Sequence, residues 1–343
     1  MRNKKFFLIT GGAGFIGSNT AKSFKKLDWK VVIVDNLSRA SSIFNLEWLE
    51  ENNFIDYFHD IDIRDKIKIE NLISDVKPQL IIHLAAQVAV TTSVEDPLTD
   101  FEINTIGTFN ILEAIRKKSP DSFVINASTN KVYGNLSQFE IVEYSDRYEL
   151  KNLQDVSEDT NLNFHSPYGC SKGAADQYVL DYVRTFNIRA VTLRQSCIYG
   201  SRQFGIEDQG WLAWFMIAQM TGKEITIYGN GKQVRDLLYI DDLTRLYQQL
   251  YENKDKVNGE EFNVGGGIHN SISVINALGK ISKLTKYSNN YNFSTERVGD
   301  QKFYVSNNAK LKATINWEPS IEIDCGLDKL HKWLIDNVDN IKL

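Results

Sequence analysis

Tyr168 and Lys172 stand four residues apart in Tyr168-Gly169-Cys170-Ser171-Lys172, so a helix through this stretch puts both on one face. The pair has a definite chemistry. A phenol titrates near ~10 and is a poor base at neutral pH. A neighbouring ammonium favours the phenolate, and a second positive charge nearby favours it further. The two together could take a proton from a carbinol. Thr129, just after the apolar run Ser122–Ala127, offers a hydroxyl that could hold the same oxygen. It sits at the carboxyl edge of a strand, where open α/β sheets bind ligands. Taken alone, Tyr-x-x-x-Lys is common on helix surfaces. Ser128 and Thr129 could equally do no more than satisfy a strand end. The surrounding elements decide between these readings.

The first of those elements is Lys5-Phe6-Phe7-Leu8-Ile9-Thr10, an apolar run that breaks at Gly11-Gly12-Ala13-Gly14-Phe15-Ile16-Gly17. Gly11, Gly14 and Gly17 let the turn be tight, the backbone approach a ligand, and the next helix pack close on the strand. The free N–H groups at that helix start attract a pyrophosphate. The next run, Lys30-Val31-Val32-Ile33-Val34, ends in Asp35 at about the ~20-residue distance expected for a carboxylate on an adenine ribose. A carboxylate pairs with the ribose diol and repels a 2′-phosphate, which favours NAD over NADP. Arg39, close behind, leaves NADP open. Residues 1–130 alternate strand-like and helix-like runs, including Phe54–Phe58, Leu80–Ala86 and a helix from Asp96-Pro97 to Lys118. This predicts an α/β chain: a Rossmann-type doubly wound parallel sheet with a smaller mixed α/β substrate-binding domain. We divide it into residues 1–196, with 236–266 returning to the first sheet, and 197–343. The polar, acidic residues 135–165 read as a solvated insertion flanking the site, and 167–187 as a helix.

At 343 residues the chain can bury a large core, and a net charge of −5 without a basic run argues against a nucleic-acid surface. No apolar run reaches the ~18 residues of a membrane span. The glycine cluster also cuts short the apolar stretch after Lys4 and Lys5, which excludes a secretion signal there. Cys170, Cys197 and Cys325 are odd in number and scattered, as reduced cytoplasmic thiols would be. The five histidines, His59, His83, His165, His269 and His331, lack metal-ligand spacing, so no metal is expected. His83 reads as a core residue, and His165 as a weak candidate for substrate contact. Trp211, Trp214 and Phe215 read as helix core or a subunit contact rather than sugar stacking.

These residues together resemble the extended short-chain dehydrogenase/reductase family of nucleotide-sugar epimerases and dehydratases, over nearly the whole chain. Arg235-Asp236 is similar to the family's late Arg-Asp motif, and Arg297-Val298-Gly299-Asp300 to its final Arg-x-Gly-Asp. The resemblance implies a nucleotide-sugar substrate whose diphosphate is held by these arginines, with Asp300 close by. It assigns catalysis to Thr129, Tyr168 and Lys172, the last also anchoring the cofactor ribose. It places Phe15, Ile16, Asn36, Leu37, Ser38 and Arg39 on the dinucleotide, Asp62 and Ile63 beside its adenine, and Leu84, Ala85, Ala86 and Gln87 along its middle. Asn104 and Gln195 complete that set. It further implies a homo-oligomer, either a dimer through a four-helix contact or a tetramer.

Three positions discriminate within the family. Its 4,6-dehydratases carry Asp-Glu where this chain has Asn130-Lys131, and an amide and an ammonium cannot do that acid–base work. Its 4-epimerases generally carry Asn where Cys197 stands. Ser128–Gly134, His165–Tyr178, and Arg194–Gly200 with the unusual run Arg202–Phe215 are similar to the family's CDP-sugar 2-epimerases. That likeness implies inversion at C2 of a CDP-linked deoxysugar through a 2-keto intermediate. The alternatives are a UDP-hexose 4-epimerase and a non-catalytic NAD-binding sensor.

Overall fold

Strand β1, Phe6–Thr10, lies at the centre of the computed structural model, which describes residues 5–287, 291–337 and 341. It is followed by β2 (Lys30–Asp35), β3 (Tyr57–Asp60), β4 (Leu80–His83), β5 (Phe123–Thr129), β6 (Arg189–Gln195) and β7 (Glu261–Val264). The seven form one sheet in the order β7-β6-β5-β4-β1-β2-β3, with every neighbour parallel. Such strands are covered on both faces, which explains their near-continuous apolar runs. Alternate side chains enter opposite cores: Phe7 and Ile9 join one, Leu8 the other. The chain leaves β1 toward β2 on one side and reaches β4 on the other. That reversal opens a crevice at the carboxyl ends of the strands.

A second, smaller sheet is built on Val234–Tyr239. This strand pairs in parallel with Cys197–Tyr199 and Phe303–Tyr304, and antiparallel with Ser271–Ser273. Residues 236–239 therefore belong to the small sheet. The chain rejoins the first unit only with the Ile240–Glu252 helix and β7.

Two local expectations are corrected and a third is refined. The third strand is Tyr57–Asp60 rather than Phe54–Phe58. Asp96 caps the next helix, accepting the Thr99 N–H at 3.1 Å, and the helix runs without a gap to Lys118 with one irregular turn. Pro97–Phe101 passes through a π-helical turn, Glu102–Ile106, before Gly107–Lys118. The stretch 135–165 is only partly solvated. It holds the hairpin Ile141–Glu143/Tyr148–Leu150, and its Leu136, Leu150 and Val156 are buried against Val234 and Phe303–Val305. Enough apolar area is removed from water there to dock it on the second unit. Among the described residues no helix is long and apolar enough to cross a membrane.

Candidate active site

The glycine turn forms as its spacing requires. Gly11 has φ 68°, and a Cβ there would lie 2.8 Å from the Ala85 nitrogen, so a side chain would force β1 away from the chain after β4. The following helix, Phe15–Lys25, starts at Gly14 with no side-chain cap, leaving amide donors at its positive end. Asp35 accepts N–H groups from Ala13 at 3.1 Å and Leu37 at 2.9 Å. Burial raises its pKa, while those two hydrogen bonds and Arg39 pull it back.

These groups open on a cleft of about 410 Å³. Gly11, Gly14, Phe15, Ile16 and Gly17 form its floor, with Asp35, Asn36, Ser38 and Arg39 at one end beside Asp62 and Ile63. Leu84, Ala85 and Ala86 run along its middle, and Thr129, Asn130, Lys131, Tyr168, Lys172, Gln195, Cys197 and Arg235 border the rest. Leu37, Gln87 and Asn104 stand outside the lining. Asn104 is committed elsewhere: its amide donates to Gln87 O, Asp100 Oδ1 and Ser171 Oγ. It thereby braces the helix that carries Tyr168. The uncapped helix start, the glycine floor and the Asp35 carboxylate fit a dinucleotide, with the diphosphate at the amides and a ribose at the carboxylate.

Tyr168 and Lys172 lie on the helix Ser166–Phe186, which opens with Pro167 in its first turn and closes at Asn187, φ 55°. Thr129 ends β5. Here the structure departs from expectation. Burial pushes the Tyr168 phenol up to about 12, while a hydrogen bond with Thr129 and the charge of Arg39 draw it down. The Lys172 ammonium donates to Ala127 O at 2.6 Å, and burial brings it down to about 8 against the pull of Asp176 and Asp100. Burial outweighs the Thr129 hydrogen bond and the Arg39 charge, so the phenol is protonated at neutral pH, and a further positive charge beside it favours the phenolate. His83 is a core residue between Thr10 Oγ1, 2.7 Å, and Thr108 Oγ1, 3.0 Å. His165 lines neither cavity. Among the described residues no group of three His, Cys, Asp or Glu could hold a metal ion.

A second cavity of about 240 Å³ adjoins the first, sharing Val88, Lys131, Cys197 and Arg235 with it. Its cations are already partnered. Arg235 reaches Asp300 at 2.6 Å, and Lys131 donates to Gly299 O at 3.1 Å and lies 3.4 Å from Asp300. Arg297 pairs with Asp208 at 2.8 Å and lies 3.9 Å from the centroid of the Tyr228 ring. Each arginine thus faces a carboxylate across this cavity. Asn130 donates to Gln301 Oε1 at 2.9 Å. Burial raises the Cys197 thiol, so it stays a neutral, compact wall between the cavities. Trp211 and Phe215 line this second cavity and also belong to the helix core, as read: Phe215 is buried in the main apolar cluster, and Trp211 and Trp214 pack against it. Ser42, Asn45 and Arg202 in the first cavity and Tyr228 in the second escaped sequence reading, having no motif spacing to mark them.

With this geometry in place, the comparisons with known proteins are specific. A family profile described as GDP-mannose 4,6 dehydratase matches residues 8–330. The chain belongs to that family, within the extended short-chain dehydrogenases/reductases. Among curated members, CDP-paratose 2-epimerase of Salmonella typhi is 42% identical over 332 residues, spanning 95% of this chain and 98% of that one. Among solved structures, UDP-glucose 4-epimerase of Thermotoga maritima with UDP-glucose gives a TM-score of 0.83 at 28% identity, covering 97% of this chain and 99% of that one. UDP-glucuronic acid 4-epimerase of Bacillus cereus, in complex with UDP-glucuronic acid and NAD, gives 0.83 at 28%, covering 96% and 99%.

Proposed function

We propose that the protein epimerises C2 of CDP-paratose to give CDP-tyvelose, with NAD held in the larger cleft and the CDP moiety in the smaller. One observation carries the choice of reaction: the end-to-end likeness to a CDP-paratose 2-epimerase. The geometry supports it. Tyr168, Thr129 and Lys172 border the cleft just where it meets the second cavity through Lys131 and Cys197. Bound NAD supplies a reversible hydride acceptor, so the C2 carbinol passes through a ketone with no net oxidation. Tyr168 takes the hydroxyl proton and later returns it, and Thr129 steadies the oxygen. Lys172, pinned to Ala127 O, anchors the ribose and keeps a cation beside the site. Arg235 and Arg297 exchange Asp300 and Asp208 for the substrate's diphosphate, which stays fixed while the sugar turns. Incubation with CDP-paratose should give CDP-tyvelose by chromatography, with no turnover of UDP-glucose. Turnover of the UDP sugar alone would replace this reading with a 4-epimerase.

We further propose a homo-oligomer. Leu98, Phe101, Ile106 and Tyr178 are exposed apolar residues on the Pro97–Lys118 segment and the Ser166–Phe186 helix, which suits a helix-to-helix contact between subunits. Light scattering should give a dimer or tetramer, with Phe101→Glu shifting it toward monomer. A monomeric wild type would discard the proposal.

A further inference from the structure

The run from Gly200 to Trp211 enters the chemistry above only through Asp208. Its first charged residue, Arg202, is only 6% exposed, yet it lines the larger cleft. Its φ is 70°, a conformation that side-chain-bearing residues seldom hold unless their surroundings require it. Nε donates to Asn45 Oδ1 at 2.9 Å and Nη2 to Phe44 O at 2.7 Å, both neutral acceptors. The guanidinium lies 4.5 Å from the centroid of the Trp48 ring, 5.7 Å from that of Phe204 and 5.8 Å from that of Trp333, and among the described residues it forms no ion pair with a carboxylate.

A buried cation without a counter-ion is costly, and evolution seldom leaves one in a cavity without an anion to meet it. The same cleft exposes the uncapped helix start at Gly14 and Phe15, where amides supply only partial charges. We infer that Arg202 binds the diphosphate of the dinucleotide, adding from the substrate-side loop the full positive charge that the glycine turn lacks. This rests on the dinucleotide reading above. The guanidinium suits the role, since its planar fork donates two parallel hydrogen bonds to a phosphate. The contact clasps the cofactor between the two units and slows its departure. That matches a reaction that returns every hydride it takes and has no need to exchange its cofactor.

Arg202→Gln removes the charge but leaves an amide that can reach Asn45. NAD binding to the full-length protein, stripped of nucleotide, is measured by isothermal titration calorimetry at several salt concentrations. Wild type should bind NAD with an affinity that falls as salt rises. R202Q should bind at least tenfold more weakly, with a flatter salt dependence. A lost structural tie would not change that slope. Should R202Q fail to fold, Asn45→Asp carries the test, because it sets a carboxylate on Nε within an isosteric side chain and should weaken NAD by a similar factor. Wild-type affinity and slope in R202Q, or in N45D where R202Q does not fold, overturns the inference. A wild-type protein that binds no NAD overturns the dinucleotide reading instead, so the two failures are distinct.

Discussion

Tyr168→Phe is expected to lower kcat by about 10³-fold, within the range for removing a general acid–base group, while leaving NAD content and fold unchanged. The ring stays, so no cavity opens in a residue that is 8% exposed, and only the proton-carrying oxygen is lost. The pH dependence gives a second readout with a fixed sign. Burial raises the phenol, the positive charges beside it lower it, and the active form is the phenolate. Below its pKa the phenolate fraction grows about tenfold per pH unit, so log kcat/KM of the wild type should climb with pH through the neutral range. The residual rate of the variant should lack that slope. A variant with wild-type turnover in single-turnover assays on the CDP sugar would remove Tyr168 from the chemistry. It would also reopen the non-catalytic alternative.

The largest stability effect should come from the same helix. Asp176 is fully buried and accepts hydrogen bonds from Arg194 Nε at 3.2 Å, Arg194 Nη2 at 3.1 Å and Ser128 Oγ at 2.7 Å. Arg194, itself 3% exposed, also donates to the Tyr133 hydroxyl at 3.1 Å. This network ties the Tyr168 helix to β5 and β6, two turns beyond the phenol. Asp176→Ala leaves the guanidinium buried and unpaired, which should cost about 3–5 kcal/mol in urea denaturation of the nucleotide-free protein. The double variant Asp176→Leu with Arg194→Met should recover most of that loss, because two apolar side chains of similar volume replace both charges. An Asp176→Ala protein within ~0.5 kcal/mol of wild type would show that the pair contributes no more than a surface bridge.

Local physics made several features legible before any tertiary contact. The glycine spacing, Asp35 at the end of β2, and the four-residue step from Tyr168 to Lys172 each follow from backbone geometry over a few residues. The alternation of buried strands and helices likewise identified the doubly wound sheet. What the chain order could not reveal were consequences of desolvation and long-range packing. The spacing of Tyr168 and Lys172 suggested a phenol made acidic by its neighbour, but the folded chain points that ammonium at a carbonyl and buries the phenol. The polar composition of 135–165 suggested a solvated insertion, yet a few apolar residues in it found a complementary face on the second unit. Arg202 belongs to no spacing pattern. Only when the second unit folds against the Ala40–Glu51 helix does its charge enter the cofactor cleft, because its neighbours there, Phe44 and Asn45, lie more than 150 positions earlier in the chain.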